Sequence, residues 1–469
     1  MVNEKMSHLP LSRALPRGFR FASASCGLKK RGHTGSLDVA LIVSDVPASA
    51  AAVFTQNLVQ APPVVLSRKH VKESPDSMRA VIVNSGNANC SVGPDGLVAS
   101  RSAADCIAEL LGCHENQVVV CSTGVIGVPL PVEKILGAAP ELASTLEFSP
   151  KAFDGLTRAI MTTDTRPKQT AGLCSIGGKT VRIAGCAKGA GMIHPNMATM
   201  LAFVVTDAAV APRVLDGALR EVVGRTFNCI TVDGDSSTND TLLVLANGAS
   251  GANEITQAKG ADYKAFVAAL EKVCKTLALA IVEDGEGATR VVEIEVHGAP
   301  DDRDAKKVAE TIALSSLVKT AVAGADPNWG RILAAAGRAG VQFNPDRAEI
   351  WLGGMKMYGP PKGKSYSVAL PLDEAVAHAR LLEKNISIVV HLHQGRGSAT
   401  MWTCDFSYES KSPVDSITMS MLRSFHGSWV GSFTCKNFIG APFTSSVPAA
   451  ASACTALSYR PYTLSYFKR

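Results

Sequence analysis

The chain has 469 residues, of which 46% are apolar and 19% charged, and its net charge is +6. This composition suits two or three packed domains and excludes a mainly disordered chain, because the charge is too low and the apolar content too high. The small, scattered basic excess argues against a nucleic-acid-binding protein, and no apolar stretch reaches the ~20 residues that a membrane-spanning helix needs.

In the first half of the chain, short apolar segments alternate with a segment of helical periodicity. The predicted buried strands are residues 37–43, 80–83, 118–121 and 181–184. A helix is predicted over 99–111, which makes a βαβ-like alternation with functional loops at the strand ends. Residues 185–191, rich in small side chains, are predicted to form a loop.

The second half continues with both element types and ends in a segment of different composition. The predicted strands are 199–206, 291–296, 348–352 and 386–392, and the predicted helices are 215–223, 263–280 and 305–323. Residues 326–331 are predicted to form a tight polar turn with a buried tryptophan. Residues 410–469 are serine-rich and keep neither helical nor strand periodicity, so we expect them to form a tail outside the folded unit.

The cysteine pattern indicates a reducing compartment. The twelve cysteines form no Cys-x-x-Cys pair, and the first twenty residues lack the apolar core of a secretory signal. Free thiols are therefore expected. His391 and His393 come nearest to a metal-ligand pattern, but their spacing is that of neighbours on one face of a strand, and we predict no metal site.

The glycine-rich segment 188–201 contains a threonine of possible catalytic use. The hydroxyl of Thr199 is a poor nucleophile inside an intact chain. If the preceding peptide bond is cut, the freed α-amine titrates near ~8 and can act as the general base for the hydroxyl of the same residue. The alternative, which the spacing alone favours, is an ordinary β-branched strand residue beside glycine turns.

Four other loops carry candidate catalytic or binding groups. Thr123 and Gly124 follow an apolar strand and could offer a hydroxyl and a backbone N–H to an oxyanion, a contribution of ~3–4 kcal/mol; a plain turn is the alternative. Glu286 lies between two glycines and could bind an ammonium group, although solvated loop carboxylates are commoner. The loops 161–165 and 227–240 are rich in hydroxyls and carboxylates, and the second lacks the spacing of a calcium loop.

Taken together and in this order, the motifs of residues 15–409 closely resemble those of the ornithine acetyltransferase family, also called bifunctional glutamate N-acetyltransferase. The matching segments are 15–21, 84–89, 122–127, 162–165, 188–201, 227–240, 284–289, 326–331 and 402–405. The motif around Thr199 is specific to that family. The resemblance implies an α/β fold of the N-terminal-nucleophile type, with layered sheets and flanking helices.

The resemblance also implies an autocatalytic cut between Ala198 and Thr199. It would give an α chain, 1–198, and a β chain, 199–409, which stay associated, commonly as a heterotetramer. Thr199 would carry the acetyl group. By the same resemblance Thr123 and Gly124 form the oxyanion hole, and the substrate contacts are Thr162 (chosen over Thr163), Lys188, Thr199 and Glu286.

The implied reaction moves the acetyl group of N-acetylornithine to glutamate, in arginine biosynthesis. Acetyl-CoA is a further donor in bifunctional members; no cofactor, metal, nucleic acid or membrane partner is expected, and the expected location is the cytoplasm. A self-processing aminopeptidase or amidase that uses water as the acceptor is one alternative. An unprocessed, inactive binding homologue is the other.

The end of the chain departs from the family pattern. Members normally finish shortly after the position of Glu409, with an asparagine and a terminal serine or threonine that reach the substrate. Here residues 410–469 replace that ending, and no counterpart of either residue is found. We hypothesise that the chain cuts itself but binds glutamate and ornithine poorly.

Overall fold

The structure is a computed structural model that describes residues 10–29, 36–194, 200–371 and 373–406. The described strands are β1 (Phe19–Ala24), β2 (Val39–Phe54), β3 (Met78–Asn87), β4 (Val118–Val125), β5 (Lys168–Ile176), β6 (Lys179–Lys188), β7 (Leu201–Thr206), β8 (Thr241–Ala246), β9 (Val291–Ala299), β10 (Glu349–Leu352), β11 (Met355–Gly359), β12 (Val368–Ala369), β13 (Asn385–His391) and β14 (Gly397–Cys404). The described α-helices are α1 (Leu11–Ala14), α2 (Pro62–Glu73), α3 (Asp95–Leu111), α4 (Val132–Ser144), α5 (Pro150–Ala159), α6 (Pro212–Arg225), α7 (Gly260–Glu283), α8 (Asp302–Ala313), α9 (Ser316–Ala323), α10 (Trp329–Gly337) and α11 (Glu374–Leu381). The residues predicted as the serine-rich tail, 410–469, lie outside the described ranges.

The first sheet runs in the order β4-β3-β2-β8-β7-β6-β5, and β1 also pairs with β2. The long strand β2 joins its two halves, because its first part pairs with β3 and its last part with β8. Every residue of β7 and β8 is buried. Such continuous burial is typical of central strands that are covered on both faces.

The second sheet runs in the order β12-β11-β10-β13-β9-β14. Helix α7 packs on β5 and β6 of the first sheet and also contacts β14 of the second, while α8 packs on β9 and β14. One buried apolar cluster includes residues of α6 and α7 and of both sheets. The α/β fold of layered sheets with flanking helices that the sequence implied is therefore confirmed.

Three predicted elements are wrong in extent. The strand predicted at 37–43 is β2, which continues to Phe54. The helix predicted over 305–323 is two helices, α8 and α9, because Ser315 caps the second by accepting the Val318 N–H through its hydroxyl. The loop predicted at 185–191 is strand as far as Lys188. The small residue Gly185 lets α7 approach β6, since a Cβ there would lie 3.0 Å from a methyl carbon of Leu277.

Other predictions agree with the structure. The βαβ unit is present, with α3 between the parallel neighbours β3 and β4. All ten cysteines in the described ranges are free. By contrast, the turn predicted at 326–331 is wrong in its second half, because α10 begins at Trp329, and this tryptophan, predicted to be buried, is half-buried and stacks on Tyr358. Among the described residues, no helix combines the length and apolarity needed to cross a membrane.

Candidate active site

Three of the predicted site residues come together where β4 and β6 end. Lys188, the last residue of β6, donates a hydrogen bond from Nζ to Thr123 Oγ1 over 3.3 Å, and both side chains are buried. Gly124 follows with an exposed backbone. A threonine hydroxyl, an exposed glycine and an ammonium group therefore lie in one region, a set that can supply hydrogen-bond donors to an oxyanion.

Gly124 is required by close contact between two strands. Its φ is +133°, and a Cβ at this position would lie 2.4 Å from the carbonyl carbon of Gly86 in β3. No side chain fits at that distance, and the left-handed conformation is strained for other residues. The position that the resemblance assigned to the oxyanion hole is thus one that this backbone reserves for glycine.

A hydrogen-bond network fixes the end of β4. Ser122 Oγ donates to Asn84 Oδ1 over 2.7 Å, and the Asn239 side-chain amide donates to the carbonyls of Ser122 (2.9 Å) and Ala88 (2.7 Å). Asn84, Asn239 and Ser122 are all buried. The network holds the strand that presents Thr123, and sequence reasoning assigned it no role.

Lys188 lies in a buried, charged environment. Burial lowers the pKa of its ammonium group and Lys168 lowers it further, while Asp164, Asp240 and Glu286 raise it. Burial alone would raise the pKa of Asp164, but the charges of Lys188 and Lys168 and the N–H of Gly189 outweigh it and bring that pKa to about 2. Asp164 is therefore a carboxylate at neutral pH and faces Lys188.

Thr162 and Glu286, both predicted substrate contacts, lie on separate loops of the same region. The half-buried Thr162 donates its backbone N–H to Asp164 Oδ2 over 2.9 Å. The exposed Glu286 is anchored through its own N–H to the carbonyl of Ala190 over 2.8 Å. A Cβ at Gly191 would lie 2.7–2.9 Å from the Glu286 carboxyl group, so glycine there lets the carboxylate lie against the loop that follows β6.

Ala198 and Thr199, predicted as the cleavage site and the nucleophile, lie outside the described residues. The chain on either side of them is held by the segment 231–241. On the N-terminal side, the N–H groups of Met192 and Ile193 donate to the Asp233 carboxylate. On the C-terminal side, Met200 donates its N–H to Asp240 Oδ1 over 2.8 Å. This segment matched the family without a predicted role, and its aspartates anchor both flanks.

Asp240 is buried and only partly satisfied. Its Oδ2 has no hydrogen-bond partner among the described residues. Burial raises the pKa of this carboxyl group well above its usual range, although the Met200 N–H and the charge of Lys188 oppose the rise. Since β7 continues from Met200, and Leu201 pairs with Lys188 across the sheet, Asp240 and Lys188 lie on either side of the start of β7.

His391 and His393 came nearest to a metal-ligand pattern in the sequence, although no metal site was predicted there. The ring of His391 stacks between those of His297 (5.2 Å between centroids) and His393 (5.9 Å), at one end of the second sheet. Within the described ranges, no group of three or more histidine, cysteine or acidic side chains has the arrangement of a metal site.

The chain matches a known protein family. The ArgJ family model matches residues 20–410. This chain belongs to the ArgJ family. It is similar to the arginine biosynthesis bifunctional protein ArgJ of Geobacter sulfurreducens, with 48% identity over 393 residues, which is 84% of this chain and 97% of that protein.

Two solved structures are also similar to parts of this ArgJ-family chain. The ArgJ structure from Bacillus halodurans is 39% identical and covers 46% of this chain and 98% of that one, with a TM-score of 0.42. The ornithine acetyltransferase of Mycobacterium tuberculosis, solved with ornithine, is 34% identical and covers 38% of this chain and 92% of that one, with a TM-score of 0.34. The predicted class of function, an acetyltransferase of arginine biosynthesis, is confirmed by the family and its curated relatives.

Proposed function

We propose that this chain transfers the acetyl group of N2-acetyl-L-ornithine to L-glutamate through an acetyl ester on Thr199. The observation that carries the proposal is the contact of Lys188 Nζ with Thr123 Oγ1, in a site where Lys188 pairs with Leu201, two residues after the proposed nucleophile. Donors for an oxyanion thus lie beside the start of the strand that would begin with that nucleophile.

The nucleophile would arise when the chain cuts itself between Ala198 and Thr199. The products would remain together, because the first sheet interleaves strands of both: β6 pairs with β7, and β2 pairs with β8. Ladder hydrogen bonds and the shared core outlast the loss of one covalent bond. A further association of two such pairs into a heterotetramer is part of the proposal.

The chemistry needs no group from outside the chain beyond the two substrates. Thr199 Oγ attacks the acetyl carbonyl carbon, and its proton passes to its own α-amine. Thr123 and Gly124 stabilise the oxyanion of the tetrahedral intermediate. The C–N bond then breaks, the proton goes to the leaving nitrogen, and ornithine departs. Glutamate's amine attacks the ester by the reverse steps, which restores the Thr199 hydroxyl and releases N-acetylglutamate.

Charged groups would hold the amino-acid parts of the two substrates. We assign the ammonium group of Lys188 to a substrate carboxylate and the exposed carboxylate of Glu286 to a substrate ammonium group. Thr162, tied to Lys188's neighbour Gly189 through Asp164, would complete the pocket. Acetyl-CoA remains a proposed second donor, and the cytoplasm the proposed location.

The dependence of ornithine release on glutamate tests the proposal. Purified protein is incubated with N-acetylornithine, with and without glutamate, and ornithine, N-acetylglutamate and free acetate are measured. The proposal predicts ornithine and N-acetylglutamate in equal amounts, with little acetate. Acetate that forms at the same rate without glutamate would instead support a hydrolase of the aminopeptidase or amidase type.

A further inference from the structure

A buried lysine that has no assigned role joins two loops of the site. The Nζ atom of Lys168, the first residue of β5, lies 2.5 Å from Asp164 Oδ1 and 2.5 Å from Asp284 Oδ2. The side chain of Lys168 is 1% exposed, and those of Asp164 and Asp284 are 0% and 4% exposed. The two carboxylates come from different parts of the chain, one before β5 and one after α7.

Each carboxylate fixes backbone that carries a proposed substrate contact. Asp164 accepts the N–H of Thr162 and, over 2.6 Å, the N–H of Gly189, the residue after Lys188. Asp284 accepts the N–H and the hydroxyl of Thr165, and lies two residues before Glu286. The loops bearing Thr162, Lys188 and Glu286 therefore meet at one ammonium group.

We propose that Lys168 is the positioning residue that holds these three loops in register and moderates the negative charge around Lys188. This inference rests on the proposed function, in which Thr162, Lys188 and Glu286 contact the substrates. Without the Lys168 cation, the negative charges of the buried Asp164 and Asp284 carboxylates would be less fully neutralised. The two loops would then move apart, or one of the carboxylates would take up a proton.

The electrostatic part of the proposal concerns Lys188. The charged groups that face it are Lys29, Asp164, Lys168, Asp240 and Glu286. Removal of Lys168 deletes a cation that lowers the pKa of Lys188 and leaves the anions that raise it. Activity that needs the ammonium form of Lys188 is lost as the pH rises through that pKa. The alkaline limb of the pH profile should therefore move to higher pH in a variant without Lys168.

The experiment compares Lys168→Met with Lys319→Met in the full-length protein. Lys319 is a matched control because it is also a buried lysine, but its hydrogen bond goes to the carbonyl of Cys404 over 2.6 Å instead of to Asp164 or Asp284. We expect Lys168→Met to lower kcat/KM for both substrates by at least about tenfold, since a displacement of about 1 Å in a site can cost up to 10²-fold. We also expect the alkaline limb of the pH profile of Lys168→Met to move to higher pH. Lys168→Arg, which keeps the positive charge, should retain the alkaline limb of the wild type.

Loss of one partner from a buried ion pair destabilises a fold, so a second variant is included. The double variant Lys168→Met, Asp284→Asn removes a cation and an anion together and should show the same upward shift of the limb. If neither variant moves the limb relative to Lys319→Met, the inference is wrong. Failure of the wild type to transfer acetyl to glutamate would instead contradict the proposed function.

Discussion

Lys188 donates a hydrogen bond to the hydroxyl of Thr123 over 3.3 Å inside the protein. Thr123 and Lys188 lie 65 positions apart in sequence, and they meet because the last residues of β4 lie close to the last residue of β6. This contact orients the Thr123 hydroxyl, because an oxygen that accepts from Lys188 keeps its own proton free to donate elsewhere. The oxyanion site therefore depends on a lysine as well as on Thr123 and Gly124.

Thr123→Val should lower kcat by about 10²–10³, as the loss of one oxyanion donor does in other acyl-transfer enzymes. Valine has nearly the same shape but leaves the buried Lys188 ammonium without its hydroxyl acceptor, so we also expect a loss of stability of about 1–3 kcal/mol. Steady-state rates with N-acetylornithine and glutamate check this. Thr226→Val is the matched control, a buried threonine directly after α6 whose hydroxyl donates to the carbonyl of Val222; equal rates for the two variants would remove Thr123 from the oxyanion hole.

Gly124→Ala should destabilise the folded protein. The added Cβ would meet the Gly86 carbonyl carbon at 2.4 Å, at a φ of +133°. A strained backbone of this kind costs about 1–3 kcal/mol before the contact with Gly86 is counted. Urea unfolding measures this loss of stability. The control is Gly137→Ala in α4, where nothing lies within 4 Å of the new Cβ and alanine should stabilise the helix by about 0.5–1 kcal/mol.

Asp240→Asn should flatten the dependence of stability on pH. Burial raises the pKa of this carboxyl group in the folded state, so the protonated form is favoured by folding. Its contribution is present at low pH and is lost as the pH rises through the folded-state pKa. Asparagine is neutral throughout, so the variant should gain stability relative to the parent at high pH.

The measurement for Asp240 is denaturant unfolding from acid to alkaline pH in a Thr199→Ala background, which keeps every protein in one chain. Asp216→Asn is the control, because Asp216 is exposed and pairs with Arg220 on the surface of α6. If the curves of Asp240→Asn and its parent stay parallel at all pH values, burial does not raise the pKa of Asp240.

The C-terminal hypothesis predicts a defect in substrate binding. A variant in which residues 410–469 are replaced by a family-like ending should cut itself to the same extent as the natural chain and bind glutamate and N-acetylornithine more tightly. Steady-state kcat/KM values of the two proteins decide the matter. Equal kcat/KM values would show that residues 410–469 do not impair substrate binding.

The sequence predicted about half of the secondary-structure elements, namely those with strong local signals; the fully buried strand β8 and the helices α2, α4 and α5 were not predicted. The segment 118–121 and the helix 263–280 are recognisable from apolar runs and from period alone, and both are confirmed within β4 and α7. The split of 305–323 was missed since Ser315 caps a helix only in a backbone conformation that its residue type does not dictate.

The site residues also fall into two groups, those that sequence motifs predicted and those that they did not. Thr123, Gly124, Lys188 and Glu286 lie in recognisable motifs, and the structure brings the first three together. Lys168 has no motif, because its role arises from burial beside two carboxylates that are 120 positions apart in sequence. The signal available for Asp164 and Asp240 was their place in hydroxyl- and carboxylate-rich loops, which turn chemistry explains equally well. Asp284 lay in the family-like segment 284–289 and had no predicted role.

The intact mass of the purified chain, compared with that of Thr199→Ala, tests the central proposal most directly. We expect two polypeptides from the natural chain, separated at the bond between Ala198 and Thr199, and one inactive polypeptide from the variant. A natural chain that stays whole while it transfers acetyl groups at full rate would contradict it.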